Sequence, residues 1–177
     1  MRSTILYSIL FLSCFSLPTL SGQSPKLDSL IGVAQTKKSD STYIAYLTHQ
    51  VWVNRRISPS TSLELLDHLD KFSKEKSNFH KVEPRVYYRG IIYKNQGQFD
   101  SSEFYLNRYA ELQRDLGDKK REASAYLALT NLYYDEGLFD KSMIAATQSM
   151  ELNEEIKDTQ LIIATNNKFA SILFSTN

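Results

Sequence analysis

Apolar and aromatic residues recur at helical spacing along most of the chain. Tyr126, Leu129, Thr130, Tyr133 and Gly137 fall at i, i+3, i+4, i+7 and i+11, which is one face of an α-helix. Phe139, Met143, Ala146 and Met150 fall at i, i+4, i+7 and i+11 and predict a second helix directly behind the first. Tyr105, Tyr109, Leu112 and Leu116 trace the same kind of stripe upstream. No alternating strand pattern competes with these, so the pattern predicts an all-α protein built from paired helices.

The pattern also repeats. Gly97-Gln98-Phe99-Asp100 returns as Gly137-Leu138-Phe139-Asp140, a shift of 40 residues. The same shift pairs Tyr93 with Tyr133, Leu112 with Leu152, Leu116 with Ile156, Asp118 with Asp158 and Leu132 with Ile172. One period earlier, Ser58-Pro59-Ser60 is a diverged copy of the turn. Gly97 and Gly137 stand where a helix stops in the left-handed region, which glycine adopts without a Cβ clash. Asp100 and Asp140 are the expected caps of the helices that follow, and Asp100 with Glu103 and Thr61 with Glu64 have capping-box spacing. The reading places first helices at 41–57, 80–96, 119–136 and 159–176, and second helices at 61–76, 100–116 and 140–156. A linker over 23–40 carries a further short helix at 26–36. The units are then 41–79, 80–118, 119–158 and a half unit, 159–177.

The first 22 residues follow a different pattern. Arg2 precedes a short apolar run from Ile5 to Phe15, and Pro18-Thr19-Leu20-Ser21-Gly22 follows, as in a secretory signal peptide cut before Gln23. Ser8, Ser13, Ser16 and Pro18 interrupt the run, against the ~20 apolar residues a membrane span needs. Phe11-Leu12-Ser13-Cys14 resembles a lipobox but has Phe11 where leucine is usual, so lipid attachment through Cys14 is the alternative. Either route predicts an exported protein of the periplasm or cell envelope.

Composition narrows the function. With 42% hydrophobic and 23% charged residues, and six Gly and four Pro, the chain is globular in type. Eleven Tyr, nine Phe and Trp52 are available for a core. The net charge is +1, and removing the leader leaves 20 basic and 20 acidic residues, so the total charge makes no case for nucleic acid. Cys14 is the only cysteine, which excludes a disulfide framework or a cysteine zinc site downstream. His49, His68 and His80 have no metal-ligand spacing. No nucleophile elbow, P-loop or dinucleotide fingerprint occurs. Glu151, Glu154 and Glu155, and Lys119-Lys120-Arg121, read as solvated charge runs. The expectation is a protein with no catalytic residues, no metal and no cofactor.

The units resemble tetratricopeptide repeats in a form of about 40 residues. Tyr126 stands where that family prefers Trp, Leu129 at its leucine, Thr130 at its small position and Tyr133 at its aromatic position. Phe139-Asp140 stand at its turn, and Ser142 and Ala146 at later small positions. The preceding unit supplies Gly90, Tyr93, Gly97, Phe99 and Asp100, with Arg89 where leucine is expected; the first unit has Gln50 at the small position. The resemblance implies an α-solenoid of antiparallel helix hairpins, wound as a right-handed superhelix whose first helices line a concave groove for a protein or peptide. Carried over residue by residue, the groove positions are Arg55, Tyr87, Ile91, Lys94, Asn95 and Leu127, then Asn131, Tyr134, Asp135, Asn167 and Ser171. Asn131 and Asn167 suit a peptide backbone, and Arg55 and Lys94 suit carboxylates. A leader followed by such units, with Leu-Gly-Asp-Lys-Lys at 116–120, is also similar to the exported sensor region of bacterial histidine kinases and related signalling proteins. Residues 159–177 carry Phe169, Ile172, Leu173 and Phe174 with no partner helix after them. That predicts a truncated signalling protein, a self-capping end, or self-association through this helix.

Overall fold

The computed structural model describes residues 25–76 and 83–176. Within them lie eight helices: α1 (Pro25–Gln35), α2 (Asp40–Asn54), α3 (Pro59–Glu75), α4 (Glu83–Asn95), α5 (Phe99–Asp115), α6 (Lys119–Glu136), α7 (Phe139–Ile156) and α8 (Thr159–Thr176). No strand occurs among the described residues, so the protein is all-α there. The leader, with Cys14, and His80 lie outside the described residues. Among the described residues no helix is long and apolar enough to cross a membrane.

The four turns between α4 and α8 follow one chemical recipe. Gly97 (φ 70°) and Gly137 (φ 80°) are left-handed, as their positions predict. In each of these four turns a residue two or three places past the helix donates back five residues, from Gln98 to Tyr93, Asp118 to Gln113, Leu138 to Tyr133 and Asp158 to Asn153, at 2.8–3.0 Å. This satisfies carbonyls a helix end would otherwise leave unpaired. The expected caps are corrected. The N-cap positions of α5 and α7 are Gln98 and Leu138, neither with a side-chain cap bond. Asp100 and Asp140 sit inside the first turn, where a carboxylate acts on the helix dipole instead. Thr61 is likewise inside α3, its hydroxyl 2.8 Å from that of Ser58. Asp118 is a true cap, accepting from the Arg121 N–H at 3.0 Å, and Asp158 accepts from the Leu161 N–H at 3.1 Å. A capping box that spacing did not suggest joins Ser39 and Thr42 at the start of α2.

Each helix packs on its chain neighbours, and α2, α4, α6 and α8 also touch in succession. Among the described residues the backbones of α3, α5 and α7 do not approach one another closely, and the Lys141–Glu103 ion pair at 3.4 Å joins α5 to α7. A buried serine clamps each hairpin: Ser102 donates to the Gly90 carbonyl at 2.8 Å and Ser142 to the Thr130 carbonyl at 2.9 Å, both 12 residues back. Gly90 is small for a packing reason, since a Cβ there would meet the Leu106 side chain at 2.7 Å. One period on, Thr130 faces a chain with Ala146 in the place of Leu106, so volume lost on one helix is restored on the other.

The core has two centres. One gathers Leu27, Ile31, Tyr43, Leu47, Leu65 and Leu69 of α1–α3, with Ile92 of α4; the other gathers Leu106, Tyr109, Tyr126, Leu129 and Tyr133 of α5–α6, with Ala145 of α7. The stretch read as a linker therefore contributes Leu27, Ile31 and Ala34 of α1 to the core. Three further expectations change. Leu116 is exposed beyond the end of α5; the buried stripe keeps Tyr109 from the expected set and otherwise runs through Leu106, Ala110 and Gln113. Trp52 is 43% exposed, so it is not a core residue. On α8 Ile172 is buried, while Leu173 and Phe174 are exposed.

Candidate binding groove

The row of α2, α4 and α6 borders a cavity of about 460 Å³, a size suited to a ligand side chain or short segment. Seven of the anticipated groove residues line it. Tyr87, Ile91, Lys94 and Asn95 come from α4, Leu127 and Asn131 from α6, and Arg55 from the end of α2. Ile91 and Leu127 form an apolar floor, extended by Ala128 and by Leu161 of α8. A neighbouring cavity of about 600 Å³ shares Trp52, Tyr87 and Ser124 with the first and adds His49, Tyr88 and Arg121.

The remaining anticipated residues lie outside this cavity, held by contacts along the row. Asp135 receives the Lys94 ammonium at 2.6 Å. The Tyr134 hydroxyl lies 2.9 Å from that of Ser175, with Lys168 over its ring at 5.0 Å. Asn167 is exposed on α8, and its carbonyl accepts from Ser171 at 2.9 Å. Asp135, Tyr134 and Ser171 are thus engaged by a neighbouring helix or by their own.

Trp52 and Arg56 line the cavity but were not anticipated. The cause is a one-residue slip in the first unit. Ser62 donates to the Val51 carbonyl, 11 residues back, where the later serines reach 12. Val51, fully buried, thus holds the small position that a uniform period assigns to Gln50. The slip brings Trp52 level with Ile91 and Asn131, Arg55 level with Lys94 and Tyr134, and Arg56 level with Asn95 and Asp135. Equal loop length was the wrong assumption, and Pro59 at the start of α3 was the sequence sign that this turn differs.

Electrostatics within the groove are uneven. The Arg55 guanidinium lies 3.3 Å from the centre of the Trp52 ring and donates to the Trp52 carbonyl. Desolvation, and then the neighbouring Arg56 cation, lower the pKa of Arg55. Burial raises that of Tyr87, which keeps its phenol protonated and available as a donor. Asn131 donates from Nδ2 to the Leu127 carbonyl at 2.8 Å, leaving its side-chain oxygen as an acceptor. The Tyr-rich stripe divides: Tyr126 and Tyr133 are buried, the latter donating to Glu103 at 2.7 Å, while Tyr87 and Tyr88 border the cavities.

The basic run at the start of α6 is paired rather than open. Lys119 meets Glu155, Lys120 meets Asp158 at 2.7 Å and Arg121 meets Asp118 at 3.3 Å. His68 contacts the Tyr43 hydroxyl through Nε2 at 2.6 Å, and His49 borders the second cavity. Among the described residues no group of three or more His, Cys, Asp or Glu side chains could hold a metal ion. No protein-family profile, curated protein or solved structure matches the chain.

Proposed function

We propose that this chain is an exported scaffold of tetratricopeptide type, a right-handed superhelix of helix hairpins whose concave groove holds a peptide or a segment of another protein. The observation that carries the reading is the assembly of one cavity from equivalent positions on three successive first helices: Trp52, Ile91 and Asn131 form one line, and Arg55 and Lys94 flank it. Close backbone approach among α2, α4, α6 and α8, with none among α3, α5 and α7 in the described residues, favours a stack that curves toward the first helices. An apolar floor with a few polar groups around it suits an extended segment that buries one or two side chains and leaves its backbone to the amide of Asn131. The leader supports export, with lipid attachment at Cys14 as the other route.

Selection of random dodecapeptides on the purified protein tests this reading. Peptides recovered by selection should lose binding to Leu127→Glu, which places a charge on the apolar floor. They should keep binding to Ile144→Glu, because Ile144 is already 63% exposed on α7, away from the cavity. If every recovered peptide bound both variants equally well, the groove would not be the binding surface.

A further inference from the structure

We propose that the occupant of this groove is an acidic segment, in which an apolar side chain seated on Ile91 and Leu127 is flanked by carboxylates that pair with Arg55 and Arg56. The inference rests on the groove reading above and adds the chemistry of the partner. It comes from comparing equivalent places in successive units. In the second unit, Lys94 points a cation along the row and Asp135 of the next first helix neutralises it at 2.6 Å. In the third, the same places hold Tyr134 and Ser175, whose hydroxyls meet at 2.9 Å. In the first, the cation is Arg55, and the place that Asp135 fills is taken by Asn95, which carries no charge.

Arg56 stands beside Arg55, and neither reaches a carboxylate of the described residues. The other cations around the two cavities are engaged, Lys94 by Asp135 and Arg121 by Asp118. The chain's net charge of +1 makes this a local excess rather than a general one. Two adjacent guanidiniums repel each other and are relieved by an anion between them, and a guanidinium fork matches a carboxylate in two parallel hydrogen bonds. The ring of Trp52 holds Arg55 in place by stacking under it, so less side-chain freedom is lost on binding. A peptide fits better than a nucleic acid because the floor between the charges is aliphatic, formed by Ile91, Leu127, Ala128 and Leu161.

The test uses three fluorescein-labelled peptide pools with a central leucine and flanks drawn from Asp and Glu, from Asn and Gln, or from Lys and Arg. A ten-nucleotide oligothymidine serves as a fourth probe. Anisotropy should show the acidic pool binding about tenfold tighter than the amide pool at low salt, with the gap closing as salt is raised. The double variant Arg55→Gln, Arg56→Gln should erase the difference between those pools. Asn95→Asp should do so too, by supplying from within the protein the acid that the second unit already has. Equal binding of all three peptide pools, lost in Leu127→Glu, would overturn the acidic partner and leave the groove intact. Binding of no pool would overturn both readings. Oligothymidine binding as tightly as the acidic pool would overturn a peptide in favour of a nucleic acid.

Discussion

Lys157 shows how single residues bear on this fold. It takes a left-handed φ of 55° in a turn whose counterpart one period earlier is Gly117, at φ 70°. A side chain in that region meets its own backbone, at a cost of roughly 1 kcal/mol. Lys157→Gly is therefore expected to raise stability by about 0.5–1 kcal/mol, read as a higher urea midpoint at unchanged slope. An unchanged or lower midpoint would mean that the lysine turn carries no strain. His68 offers a second residue-scale outcome. Its pKa is lowered, chiefly by desolvation and then by Lys71. The folded state then binds fewer protons on His68 than the unfolded state, so stability falls as pH drops through the ordinary histidine range near ~6.5 and levels off below the folded pKa. Urea midpoints from pH 8 to pH 5 should fall less in His68→Gln than in the parent. Neither effect was legible in the sequence: the left-handed turn at Lys157 depends on the repeat register, and the burial of His68 depends on Tyr43 from a different helix.

Between elements, the hairpin of α4 and α5 rests on a close approach. Gly90→Ala would drive a methyl into Leu106, an overpacking that costs about 1–3 kcal/mol. Leu106→Ala alone should cost roughly 2–5 kcal/mol through the cavity it opens. Together the two should cost less than their sum, because the third unit already pairs a larger residue, Thr130, with Ala146. Strict additivity in a denaturant double-mutant cycle would show that the two positions do not share space. The glycine was visible as a small residue at the family's small position, but its partner was not. The serine clamps were missed for the same reason. Ser62, Ser102 and Ser142 recur at a spacing of 40, yet only the fold shows their hydroxyls bonded to the preceding helix.

Across the whole molecule, the junction of α3 and α4 rests on a buried arginine. Arg85, 4% exposed, donates to the Leu69 carbonyl at 3.1 Å and to Ser73 at 2.6 Å. Its Nε lies 2.9 Å from Asp70, close enough for charge pairing but off the direction of a hydrogen bond. Arg89 adds bonds to Asp70 at 2.7 Å and to Asp67 at 2.9 Å. Removing the shared acid with Asp70→Asn leaves a buried cation without its counter-charge and is expected to cost about 3 kcal/mol. Because stacked units couple mainly to their neighbours, hydrogen exchange should speed up in α1–α4 well before α6–α8. Uniform exchange across both halves would show that the stack opens as one unit. The helices, their order and the left-handed turns at Gly97 and Gly137 followed from the sequence alone, since glycine conformations and i, i+3, i+4 stripes are local properties that repeat with the chain. The tertiary structure decided which side of α2 faces the groove, because a one-residue slip in one turn rotates a whole helix by about 100°. It also decided which cations lack an acid among the described residues, because the acid that neutralises Lys94 arrives from the next helix in the row and none of the described residues does the same for Arg55 and Arg56.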